Sequence, residues 1–279
     1  MKLTVLIDNN TFIDRYFYGE PGVSYFIQEG DNSILFDVGY TDAFIRNAHK
    51  MNVNLKNINS IVISHGHIDH TWGLFDLIKL YTEAAIEKIK YNKPKLIAHP
   101  LAFLNKQISE EEEIGCIITE DKLGKHFNMN LSKEPIWITD KLVFLGEIER
   151  SNDFENKIPI GRTECNGVEI DDYVLDDSAL VYKSSKGLVI ITGCSHSGIC
   201  NIIEYSKKIC EDNRIIDVIG GFHLLNPKEE LLRYTCEYMK QSNVKEIHAG
   251  HCTDLRSKIE LSKYVDLKEM GVGLVLEYD

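Results

Sequence analysis

Ser64-His65-Gly66-His67-Ile68-Asp69-His70 carries three imidazoles and a carboxylate within six positions, directly after the apolar, β-branched run Ile61-Val62-Ile63. Alternate side chains of an extended backbone share a side, so His65 and His67 point the same way. Gly66 between them lets the chain turn tightly with no Cβ to clash. Asp69 and His70 then fall at the start of a helix and can turn toward a second point nearby. Leu74, Leu77, Ile78, Tyr81, Ala85 and Ile89 form that helix's apolar face. Imidazole and carboxylate are donors that suit zinc, manganese or iron. Runs of surface histidines sit in low-complexity sequence, whereas these flanks are apolar. The stretch reads as a metal-binding loop at a strand end.

Working outward, Leu3–Ile7, Val23–Gln28 and Ser33–Phe36 read as strands, the last running into Asp37-Val38-Gly39. Leu96–Ala98 is a further short strand ending at His99-Pro100. From about 101 to 172 the periodicity weakens around an acidic run, Glu110 to Glu113. We expect a single domain over 1–279 with an inserted subdomain or long functional loops in that stretch. Regularity returns with strands at Ala179–Tyr182, Leu188–Thr192, Arg214–Ile219, Val244–His248 and Val272–Tyr278. Helices alternate with them, one carrying Ile199, Ile202, Ile203 and Ile209 on its inner side and another spanning Asp254–Tyr264. Asn226-Pro227-Lys228-Glu229 predicts a helix start, with Asn as cap and Pro in the first turn.

A metal held by one loop needs ligands from elsewhere. His196 in Gly193-Cys194-Ser195-His196, His223 in Gly220-Gly221-Phe222-His223 and His251 in Gly250-His251-Cys252 each follow a strand, where α/β proteins gather their sites. His49, His126 and His248 lack that setting and read as structural or surface residues. His99 ends a strand with no metal motif beside it and ranks with them.

The histidine loop after its strand resembles the signature of the metallo-β-lactamase superfamily. That resemblance implies a four-layer αββα sandwich with a metal cleft at one sheet edge. It also implies that Asp37, in Asp-X-Gly, orients the ligands, and that His251 occupies the last metal motif. Cys194 stands where a bridging Asp is usual, as in one class of β-lactamases. The usual Gly-His-Thr-Pro-Gly element is missing, with Asp176-Asp177-Ser178-Ala179-Leu180 in its region, so His196 is our substitute ligand. The expected metal set is therefore His65, His67, Asp69, His70, His196 and His251, with His223 as rival ligand or catalytic group. Gly-Cys-Ser-His, Gly-Gly-Phe-His-Leu, His-Cys-Thr and Leu145–Arg150 further resemble dihydropterin–ribofuranosylaminobenzene-phosphate synthase-like proteins.

Two divalent ions about 3.5–4 Å apart, zinc foremost and iron or manganese as alternatives, would share an activated water between them. The leading expectation is hydrolysis of an ester, lactone, thioester or phosphoester. Asp69 fits a ligand better than a free base. Arg150 is the candidate clamp for an anionic substrate. The rival reading is a synthase joining a pterin to a ribosyl-aminobenzene phosphate, with Phe222, Trp72 or Tyr173 as an aromatic slot. A non-catalytic ligand sensor is a third.

Composition narrows the classes further. With 31 Lys+Arg against 43 Asp+Glu the net charge is −12, which argues against nucleic-acid binding. An anionic substrate stays open, because a bound ion outweighs distant charge. Apolar content of 43% and the lack of a long apolar run suit a globular, non-membrane chain. Asp8 breaks the first apolar run too early for a signal peptide, and the seven cysteines form no CxxC pair. A reducing compartment, the cytoplasm, is the expected location.

Overall fold

The computed structural model describes residues 1–110, 112–165 and 167–279. Glu111 of the acidic run and Asn166 lie outside the described residues. Two seven-stranded sheets face each other. In the first, Lys2–Ile7 lies between Val275–Glu277 and Ser24–Glu29, followed by Asn32–Phe36, Ser60–Val62, Lys95–Ala98 and Asn128–Leu131. The second runs from Asp266–Leu267 through Glu246–Gly250, Ile215–Gly221, Gly187–Thr192, Ala179–Ser184 and Leu142–Phe144 to Ile136–Trp137.

Alternation decides the layers. In Lys2–Ile7, Leu3 and Val5 point between the sheets and join Tyr25, Phe36, Leu180, Tyr182, Val189 and Ile191 in one core. Leu6 and, past a shift in the pairing register between Val5 and Ile7, Ile7 face outward with Leu35, Ile61 and Leu96 onto Phe44, Leu74 and Leu77 of helices Ala43–Lys50 and Gly73–Ile86. Val181, Ile190, Val218 and Ile247 meet Ile199, Ile203, Leu232 and Leu261 of helices Ile199–Cys210, Glu229–Gln241 and Leu255–Leu261 on the other side. The result is the expected αββα sandwich. Among the described residues no helix is long and apolar enough to cross a membrane.

The middle of the chain divides three ways. Asn128–Leu131 joins the first sheet, while Ile136–Trp137 and Leu142–Phe144 join the second. Val168–Asp172, Gly161–Cys165, Lys106–Ser109 and Glu112–Glu113 form a separate four-stranded sheet beside the histidine loop. The helix expected from Asn226 begins at Glu229 instead. Asn226 sits in a left-handed turn at φ 47°, its backbone N–H held by Asp254, so it closes a loop rather than capping a helix.

Candidate metal centre

Gly187–Thr192, Ile215–Gly221 and Glu246–Gly250 are parallel neighbours and end side by side. The residues just beyond them are Cys194 and His196, His223, and His251 and Cys252. In the opposite sheet Asn32–Phe36 and Ser60–Val62 are also parallel and lead into Asp37 and the histidine loop. Chemistry-bearing loops from both sheets therefore converge on one edge. Asp37 (φ 53°), Ser195 (63°), His223 (51°) and His251 (36°) all have left-handed backbone there. Each such residue costs of order 1–3 kcal/mol and persists only where its surroundings over-determine it.

Two clusters of donors result. His65, His67 and His196 make a near-equilateral triangle, with ring centroids 4.6, 4.7 and 4.7 Å apart. Beside it, His70 Nε2 and His251 Nε2 are 3.3 Å apart. Asp69 reaches both, with Oδ2 3.3 Å from His251 Nε2 and Oδ1 3.8 Å from His70 Nε2. The Cys194 sulfur lies within 4.8 Å of donors in each cluster and joins them. His223 packs against His196 with ring centroids 4.2 Å apart, outside the triangle. His248 pairs with Asp217 and His99 with Glu147, away from the clusters.

Buried carboxylates hold these rings in place. Asp37 Oδ2 lies 2.7 Å from His70 Nδ1 and accepts Ser64 Oγ–H, while Oδ1 accepts the Ser64 N–H. Ser64 Oγ in turn touches His65 Nδ1 at 2.9 Å. Asp8 accepts the His251 N–H at 2.8 Å. Asp176 accepts the Gly66 N–H at 2.8 Å and the buried Lys106 ammonium at 2.7 Å, and Lys106 also donates to Asp172 at 3.1 Å. A Cβ on Gly66 would sit 2.0 Å from the Ala102 carbonyl oxygen, so this loop fits its neighbour only as glycine. The motif reading missed Asp8, Lys106, Asp172 and Cys252 as site residues. Asp8 ends an apolar strand as Asp37 does, and Cys252 follows a ligand-type histidine, so both had a signal. Lys106 lies in aperiodic sequence and had none.

The donor set fits a metal. Burial and neighbouring positive groups hold His65 and His196 well below the usual histidine range and push His67 down to about 3, leaving neutral rings. Burial also opposes charge on His70, but Asp69 and Asp37 outweigh it and raise the ring to about 9. His67 Nε2 and both His196 ring nitrogens are buried with no protein partner. Buried polar atoms are ordinarily satisfied, and neutral imidazole nitrogens facing one another are what a divalent ion would complete.

A cleft of about 550 Å³ opens over the clusters, with an apolar wall of Ile108, Ile114, Ile160 and Leu225. A smaller hollow of about 300 Å³ shares His196 and His223 with it and includes Phe222. Arg150 lines neither. Its guanidinium donates to Asn156 Oδ1 and to the carbonyls of Ile148, Tyr173 and Val174, bracing a loop instead of facing a substrate. Trp72 donates to the Gly115 carbonyl and stacks on Tyr40, which is at the cleft. Tyr173 lies outside both hollows.

The family model of the metallo-beta-lactamase superfamily matches residues 18–109, the segment that includes Asp37 and the histidine loop. A 7,8-dihydropterin-6-methyl-4-(beta-D-ribofuranosyl)-aminobenzene-5'-phosphate synthase of Methanocaldococcus jannaschii is 33% identical over 296 residues, covering 100% of this chain and 97% of that protein. An uncharacterized protein of the same organism is 31% identical over 281 residues, covering 98% and 99%. Among solved structures, a metal-dependent hydrolase of the beta-lactamase superfamily superposes with a TM-score of 0.82 and 28% identity over 100% of both chains.

Proposed function

Given that this chain belongs to the metallo-β-lactamase superfamily, we propose that it is a metal-dependent hydrolase of an ester, lactone or phosphoester bond in a small molecule. The observation that carries this reading is the pair of adjoining clusters, His65/His67/His196 and Asp69/His70/His251, under an open cleft. We take the centre to hold two divalent ions, zinc foremost. Such ions would supply Lewis acidity at the scissile group and a nucleophilic water near neutral pH. The chain's own groups do the rest. Asp37 and Ser64 orient His70 and His65, and Asp8 anchors the backbone at His251. Asp69 lies against two imidazoles and serves as a ligand. The isoleucine wall excludes water and receives the apolar part of a substrate. All seven cysteines are free, which suits a reducing compartment such as the cytoplasm.

The test compares metal-free, zinc-loaded and manganese-loaded protein on a panel of esters, lactones and phosphoesters. Turnover that depends on metal and disappears in a His65→Ala/His67→Ala variant is the expected result. A variant that binds no metal yet keeps full activity would overturn the reading.

A second reading, a dihydropterin-linked synthase, draws on the 33% identical relative that spans the whole chain. Tyr40, which lines the cleft and is backed by Trp72, offers an aromatic ring to a pterin. Thermal protection by a dihydropterin would favour it, and no shift at saturating pterin would remove it.

A further inference from the structure

Among the cysteines of this chain, two stand apart. Cys200, Cys210 and Cys236 pack in the apolar layer between the second sheet and its helices, and Cys116 packs on the opposite side. Cys194 and Cys252 instead face each other at the cleft, with their sulfurs 3.2 Å apart. They follow the ends of Gly187–Thr192 and Glu246–Gly250, and His223 follows Ile215–Gly221, the strand between those two.

We propose that Cys194, Cys252 and His223 form a thiophilic metal position in the wall of the cleft, next to the histidine and carboxylate clusters. One donor atom from each lies within 4.8 Å of the other two. The backbone is shaped around the sulfur of Cys252. A Cβ on Gly221 would come within 2.6 Å of it, so only glycine leaves it room. The His223 N–H points at the same sulfur at 3.2 Å, and His223 holds its left-handed backbone while doing so. His223 Nδ1 is buried with no protein partner. An imidazole and two sulfurs are a donor set for zinc, cobalt or cadmium and a poor one for magnesium or calcium. Three protein donors also leave a fourth position for water or substrate. Cys194 belongs to the donor sets of both histidine clusters as well, so its sulfur can be shared between ions. His223 is then a ligand and not a proton carrier.

This assignment rests on the reading of the cleft as a metal centre, and does not depend on hydrolysis. The test adds cadmium to reduced, metal-free full-length protein and follows sulfur-to-cadmium charge-transfer absorption. Total bound cadmium is measured in parallel. The expected result is a strong sulfur band that falls by about half in Cys252→Ser, since each thiolate ligand contributes to it. Cys236→Ser, whose sulfur lies in the apolar layer, leaves the band unchanged. Cadmium bound without a sulfur band, or a band that Cys252→Ser does not alter, overturns the thiolate position while leaving the histidine centre standing. No bound cadmium at all overturns both. Should Cys252→Ser fail to fold, the unmutated protein decides. Cadmium is expected to shield Cys194 and Cys252 from alkylation while Cys165 keeps its reactivity, and equal labelling of Cys252 with and without cadmium overturns the proposal.

Discussion

Asp37 is fully buried, and its two oxygens serve His70 Nδ1, the Ser64 hydroxyl and the Ser64 backbone N–H, each at 2.7 Å. Asn at this position keeps the shape but puts an NH₂ where an acceptor is needed. Asp37→Asn is therefore expected to weaken metal binding by about 10–100-fold, the usual effect of losing such an orienting partner. Competition with a chromophoric chelator measures it, and an unchanged affinity would show that His70 needs no orienting carboxylate. Legibility at this scale was uneven for a physical reason. His65, His67, Asp69 and His70 announce themselves because metal chemistry demands those side chains close together in one loop. Asp37 was readable through its Asp-X-Gly setting. Lys106 was not, because its partners Asp172 and Asp176 are 66 and 70 residues away, and an isolated lysine in sequence carries no mark of burial.

Elements are tied to the site by a few polar joints. The Lys106 ammonium links the small sheet to Asp176 and, through it, to Gly66 in the histidine loop. Removing one partner of a buried ion group leaves uncompensated charge, so Lys106→Met is expected to destabilise the fold by about 3–5 kcal/mol. Urea unfolding measures this, and a loss below about 1 kcal/mol, typical of exposed pairs, would show that the joint is solvated. Asp254 is a second joint. Its Oδ1 caps the helix Leu255–Leu261 at the Ser257 N–H, and its Oδ2 accepts the Asn226 N–H. Asp254→Ala should cost about 1 kcal/mol at neutral pH, within the range for lost helix caps. The Ser257 and Asn226 N–H groups hold the Asp254 carboxyl below its ordinary range. Its contribution is thus complete above the unfolded value of about 4 and is lost as the pH falls through the lower folded value. The stability gap between the two proteins should narrow below about pH 4 in urea titrations, and a gap that widens there would contradict the sign. Most strands and helices could be located from their apolar period. The helix starts within the expected stretch, at Glu229, but Asn226 does not cap it, because a local pattern cannot reveal the left-handed backbone that Asn226 adopts in a loop held by Asp254, 28 residues on.

At the scale of the whole molecule, the centre sits where the two sheets meet, and each sheet supplies part of the donors. His65, His67, Asp69 and His70 come from the first, and Cys194, His196 and His251 from the second. An ion held by both should act as a staple that is absent in the unfolded chain. Saturation at 100 times the dissociation constant adds about 2.7 kcal/mol. For a chain of this size that corresponds to about 5 °C in the thermal midpoint. Chelation followed by zinc repletion, monitored by calorimetry, should lower and then restore the midpoint, and a midpoint indifferent to both would rule out the staple. Periodicity, strand-end placement and the histidine loop by themselves determined where many of the strands and helices run and the principal donor candidates, since burial and ligand chemistry both act through which residue stands where along a strand or loop; the sandwich was implied by the resemblance of that loop to the metallo-β-lactamase signature. Tertiary structure alone decided that His196 closes a triangle with His65 and His67, that the Arg150 guanidinium is bonded to Asn156 and loop carbonyls, that Lys106 is a buried joint and that Cys252 faces Cys194. Those outcomes depend on distances between segments far apart in the chain, and such distances exist only once the two sheets have packed.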